Sequence, residues 1–214
     1  MPRVTTGSLL GLLSALLLST ASLFVTGCGM GTTAAPDPVQ LTVNGQVHGG
    51  QQPVVGAHIE LYVAGSAGNG SASSSLLTTP VTSDSNGTFS ITGDYSCPSS
   101  TAQVYLVATG GNPGLGSGGN NPALAMMAPL GACGNLSPTQ FITINEVTTV
   151  AAAWALAPFT QGISHIGASS TNAMGLANAF LNAQLIADTS KGAVATLASN
   201  LKTEPGKIPK PCHE

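Results

Sequence analysis

No lysine or arginine occurs between Val4 and Ser190. The acids of the same stretch are Asp37, Glu60, Asp84, Asp94, Glu146 and Asp188, so the body of the chain must stay soluble through Ser, Thr, Asn and Gly rather than through charge. Nucleic-acid binding requires basic side chains that displace counterions from phosphates, and this body has none. Arg or Lys clamps on nucleotides and phosphate esters are disfavoured on the same ground. The remaining cations, Lys191, Lys202, Lys207 and Lys210, collect near the C-terminal end. A neutral surface of this kind suits an envelope protein better than one from a crowded cytosol.

Residues 8–25 are mostly Leu, Ala and Phe, follow a single basic residue, Arg3, and end in Val25-Thr26-Gly27-Cys28. The run is just long enough to cross a bilayer as a helix, which leaves an uncleaved anchor open. It contains Ser8, Gly11, Ser14, Ser19 and Thr20, however, and ends in small residues rather than in the basic cluster that stops transfer. The arrangement resembles a bacterial lipoprotein signal, in which a small residue at the minus-one position permits cleavage before a diacylated cysteine. That resemblance implies a signal peptide over 1–27, a mature chain beginning at a lipidated Cys28, and membrane lipid as its first partner. More than one acyl chain would make the anchoring effectively stable. Gly29, where an Asp would favour inner-membrane retention in enteric bacteria, leans the expectation towards the outer membrane.

After a tether over 28–38, apolar residues alternate in 40–47 and again in 57–63, on either side of a turn at 53–56. Further strands are expected over 76–82, 88–92 and 103–109. Asp84-Ser85-Asn86-Gly87 is expected to form a tight turn, with Asn-Gly supplying the positive φ angles of a two-residue hairpin. Strands at this spacing predict a small antiparallel β-sandwich over 39–110.

Three pieces of this region carry a family resemblance: Gly45-Gln46-Val47, then residues 53–62 (PVVGAHIELY), then 83–91 (SDSNGTFSI). They are similar to the carboxypeptidase regulatory-like and Cna B-type modules, which implies a transthyretin-like or Ig-like sandwich. The shared residues make turns and core, so the resemblance implies a scaffold and no chemistry. Some Cna B-type modules carry a Lys-based isopeptide cross-link, and with no lysine before Lys191 this sandwich cannot form one.

Residues 111–138 are expected as a Gly/Asn-rich loop, with the low-complexity part at 110–122. Cys97 and Cys133 bracket it, and export would place them where disulfides persist. This pairing is favoured, and pairings that use Cys212 are the alternative. From 139 to 200 the chain is expected to be helical. Asn145 stands as N-cap and Glu146 in the first turn of an Ala-rich helix closed by Pro158. In a second helix over 171–187, Met174, Ala177, Leu181 and Leu185 recur at helical spacing, and Trp154 is expected in the core. This half is similar to exported proteins of soil bacteria such as the acidobacteria, in its N-E-x-T-T-V-A-A and N-A-x-G-L-A-N-A patterns. Residues 201–214 are expected as a disordered or truncated tail.

Candidate chemistry is sparse. His48 and His58 flank the turn at Pro53, with Asp84 or Glu60 as a conceivable third ligand, but exposed strand residues account for them without a metal. Ser164 beside His165 lacks the G-x-S-x-G elbow of a hydrolase. Glu146 could act as a base inside an apolar helix, and a carboxylate at a helix start explains its position more simply. The expectation is therefore an α+β chain, a small antiparallel β-sandwich followed by an Ala-rich helical segment, without catalytic residues, metal or cofactor. Its expected role is a lipid-anchored structural or interaction module of the bacterial cell envelope, partnered by an envelope protein. The alternative is a module that binds envelope glycan or another extracellular ligand, with the loop at 110–122 on its rim.

Overall fold

A computed structural model of the protein describes residues 42–93, 95–116 and 118–196. Cys28, the tether and the tail with Cys212 lie outside the described residues. Strand β1 (Val43–Gly49) buries Val43, Gly45 and Val47 and leaves the intervening side chains more exposed, the period-two pattern of a strand covered on one face. The short β2 (Gln52–Pro53) turns back beside it. β3 (His58–Val63) alternates in the same sense, with Ile59, Leu61 and Val63 inward. Two short strands, β4 (Ser74–Ser75) and β5 (Val81–Thr82), line one edge of β3. β6 (Thr88–Ile91) pairs antiparallel with β1, and β7 (Gln103–Thr109) pairs antiparallel with β3.

The turn before β6 differs from the two-residue hairpin expected of Asn-Gly. Only Gly87 has a positive φ, at 72°, and no residue other than glycine does among those described. The Asp84 carboxylate organises the turn instead, accepting from the amides of Asn86 and Thr88 at 2.8 Å each and from Thr88 Oγ1 at 2.7 Å.

Residues 111–138, expected as loop, contain the longest strand, β8 (Ala125–Ala132), which pairs antiparallel with β7. Pro129 and Gly131 hide it in the sequence. A proline is tolerated because β8 closes the end of its sheet, and Gly131, at φ 83°, sits where the register slips by one residue. β9 (Phe141–Ile144) then pairs parallel with β1, on the side away from β6. The expected all-antiparallel sandwich is thus corrected at this strand, which returns only after the whole second sheet has been built.

The two sheets face each other across a core of Val43, Val47, Phe89, Ile142 and Ile144 from the first and Ile59, Leu61, Val104, Leu106 and Leu130 from the second. The fold is an α+β sandwich. The far side of the second sheet is covered as well, because Tyr105, Val107 and Met127 pack with residues of two helices. β7 is accordingly buried on both faces, and its run from Val104 to Ala108 is continuously apolar rather than alternating.

Helix α1 (Glu146–Ala155) begins at Asn145, whose side chain accepts from the Thr148 amide at 3.1 Å while Thr148 Oγ1 accepts from the Asn145 amide at 3.1 Å. This reciprocal capping satisfies two amides that the first turn would leave unpaired. A small hairpin follows, β10 (Thr160–Gly162) with β11 (His165–Ile166), and then α2 (Ala173–Ile186). The described chain closes with β12 (Ala187–Asp188) and β13 (Ala193–Val194). Cys97 and Cys133 are joined in a disulfide, with Cα atoms 5.8 Å apart, which ties the segment after β6 to the end of β8.

Candidate interaction surface

The titratable side chains are spread over the fold, and the structure gives several of them local bonding tasks. His48 lies on β1 and His58 on β3, strands of different sheets, so they do not meet across a hairpin. His58 Nε2 lies 2.8 Å from Glu60 Oε1, and Ser75 Oγ donates to Glu60 Oε2 at 2.5 Å, a chain that links β3 to its edge strand β4. Asp84 serves its own turn, and the bonds from Thr88 and Asn86 hold its carboxyl below the usual range. Ser164 Oγ lies 3.1 Å from Nδ1 of the adjacent His165, a local contact on the surface. Glu146 Oε1 accepts from the Gly50 amide at 2.5 Å, so this carboxylate fastens the turn after β1 to the start of α1. Among the described residues, no cluster of three or more His, Cys, Asp or Glu side chains is arranged to hold a metal ion.

A cleft of about 660 Å³ opens between the ends of β3 and β7, the loop at 65–72 and the start of α2. Ser66, Ser71, Ser74, Thr101 and Ser169 give it a neutral, hydroxyl-rich lining without a charged side chain. Ser71 Oγ is buried and makes no hydrogen bond. The hydroxyl fits only because its neighbours lack side chains: a Cβ at Gly167 would run into it, and one at Gly65 would meet it at 2.5 Å. The described residues of the loop at 110–122, expected on the rim of a binding site, contribute nothing to this cleft. It is fastened elsewhere, with Val55 and Asn112 exchanging amide bonds at 2.9 and 2.8 Å and Asn120 Oδ1 accepting from the Gly111 amide at 2.8 Å.

The largest departure from expectation lies on the helices. Trp154, expected in the core, is 72% exposed. Met174, Leu181 and Leu185, which recur at helical spacing, are 78%, 53% and 44% exposed, so this row is the outer side of α2 and not its packing side. The buried residues are Thr148, Ala151 and Ala152 on α1 and Leu176, Ala179, Phe180 and Ala183 on α2. Small residues let both helices lie close to the sheet and to each other, and Phe180 fills the space between them and Tyr105. An indole at position 151 or 152 would have no room, and at 154 it points away from the sheet.

Val150 and Trp154 are one turn apart on α1, as are Leu181 and Leu185 on α2. Both helices pack on the second sheet and against each other, and their outward sides expose these apolar residues together with Asn178 and Asn182. Glu146 is the one charged residue in either helix, and it lies at the first position of α1. An uncharged surface with five large apolar side chains has the composition of a contact face rather than of a solvated one.

No family model matches the chain, and no curated protein matches it.

Proposed function

We propose that this protein is a lipid-anchored component of the bacterial cell envelope, oriented towards the outer membrane, that works as a non-enzymatic interaction module. The observation that carries the reading is the outward side of α1 and α2, which exposes Trp154, Met174 and Leu181. Supporting it are the leader over 1–27, the lipidation pattern at Gly27-Cys28 and a body almost free of charge. No helix among the described residues is long and apolar enough to cross a membrane. In this reading the sandwich is a transthyretin-like module of the carboxypeptidase regulatory-like and Cna B-type kind. It serves as a rigid support that carries the helical face, and an envelope protein or lipid is the partner.

The deciding experiment is the intact mass of protein taken from its native membrane fraction. A chain that begins at an acylated Cys28 is expected. A chain that retains residues 1–27 and carries no acyl group would overturn the anchored reading.

A second reading rests on the cleft beside Ser71. The Ser66, Ser74, Thr101 and Ser169 hydroxyls in its lining suit a neutral glycan. Calorimetric titration with neutral envelope polysaccharide tests it, with Ser66→Val expected to weaken binding. No heat of binding would remove this reading.

A further inference from the structure

Five large apolar side chains stand outward on α1 and α2, and neither helix contains a lysine or arginine. We infer that the outer face of α1 and α2 rests on the bilayer in which Cys28 is anchored, with Trp154, Leu181 and Leu185 seated at the depth of the lipid headgroups and upper acyl chains. The inference rests on the anchored reading and adds to it the orientation of the domain on the membrane.

Three observations favour a bilayer over other occupants. The first is reach. The roughly 14 residues from Cys28 to Thr42 span at most about 50 Å when fully extended, so an acylated chain holds the domain permanently beside lipid. The second is size. A stable protein interface buries about 800 Å² on each partner and draws on roughly 20–30 residues a side. The helices contain 10 and 14 residues, and one side of each already covers the sheet. The outward remainder is too small to hold a second copy by itself, yet sufficient as an auxiliary contact that orients a domain already held at the membrane by its acyl chains.

The third is chemistry. Tryptophan is favoured at the membrane–water interface, where an apolar ring and a polar N–H are both accommodated, and Leu and Met beside it supply apolar area. Lys191, the only lysine or arginine among the described residues, pairs with Asp188 at 2.7 Å. Among the described residues, attraction to anionic headgroups therefore has no source on the two helices, and contact with neutral lipid that is insensitive to salt is what their composition supports.

Trp154 is the only tryptophan of the chain and belongs to the proposed contact, so it reports directly. Protein from native membranes is reconstituted into phosphatidylcholine vesicles with and without lipid brominated in the acyl chain, and its acyl state is read by intact mass. The expected result is blue-shifted Trp154 emission that is quenched by the brominated lipid and unchanged by added salt. Leu181→Asp combined with Leu185→Asp should return the emission to that of an exposed indole and abolish the quenching. Both residues are surface positions, and an unchanged far-ultraviolet circular dichroism spectrum confirms that the variant folds.

Exposed, unquenched emission from protein whose mass shows acylated Cys28 would overturn the inference while leaving the anchored reading intact. Blue-shifted emission that brominated lipid fails to quench, and that reverses as protein is diluted in the vesicles, would overturn it in favour of a second copy. A mass without acyl groups would remove the anchored reading, and with it the inference.

Discussion

The Glu146 carboxylate accepts the Gly50 amide proton at 2.5 Å, joining residues 96 positions apart in the chain. The bond connects the turn after β1 to the first turn of α1, where a carboxylate also faces the positive end of the helix dipole. Glu146→Ala should lower stability by about 1 kcal/mol, because a charge-assisted bond is lost at an exposed site where water replaces part of it. Glu146→Gln keeps an acceptor and should lose less. Urea denaturation of the three proteins checks the order, and equal stability of all three would show that the bond contributes nothing.

Tyr105 is fully buried, and its hydroxyl donates to Ser73 Oγ at 2.7 Å with the Ile163 carbonyl at 3.0 Å. Burial pushes its pKa up to about 12, although the bond to Ser73 works in the opposite direction. Burial alone pushes Tyr95 up to about 12. An unfolded chain ionises its tyrosines near pH 10, so the folded state holds these protons more tightly. The resulting stability is fully present below about pH 10 and is lost as pH climbs towards about 12. Phenolate absorbance should therefore rise together with loss of the circular dichroism signal. Ionisation of both tyrosines near pH 10 in a protein that stays folded would contradict the burial.

The disulfide between Cys97 and Cys133 closes a separation of 36 residues. In the chain-entropy model a loop of that length contributes about 4 kcal/mol by restricting the unfolded chain. Reduction, or Cys97→Ala with Cys133→Ala, should move the denaturation midpoint down by a corresponding amount. The loss should be read as a change in midpoint at nearly constant helix and sheet content below the transition. A midpoint indifferent to reductant would mean that the bridge constrains little.

Gly45 lies in β1 between Phe89 of β6 and Ile142 of β9. A Cβ there would run into the Ile142 carbonyl oxygen and the Phe89 ring. Neither neighbour can yield easily, because one is backbone and the other is core. Gly45→Ala should cost about 1–3 kcal/mol, the range for overpacking a core. Thermal unfolding decides, and a variant as stable as the parent would show that β9 can move away from β1.

Local signals placed β1, β3, β6 and β7 close to where they lie, because alternation or a continuous apolar run is visible within a few residues. The Asn145 cap was equally legible, since it depends on a side chain that bonds to backbone three residues away, whereas at 84–87 the sequence showed the position of the turn but not the Asp84 carboxylate that organises it. β8 was missed because Pro129 and Gly131 break every strand pattern, and what permits them is a place at the end of the sheet that no local window contains. β9 lies next to β1 through a parallel pairing nearly a hundred residues distant, and a four-residue run, Phe141-Ile142-Thr143-Ile144, carries no mark of it.

The sequence by itself determined the near-absence of charge, the pairing preference of Cys97 for Cys133, and where β1, β3, β6, β7 and both helices lie. Only the tertiary structure decided which side of each helix is buried. In α1 and α2, apolar and small residues occur all round, so periodicity offers two candidate faces and no reason to choose between them. The choice falls to fit. Ala151, Ala152, Ala179 and Ala183 allow the close approach that Phe180, Tyr105 and the second sheet require, and the larger Trp154, Met174 and Leu181 are left outside.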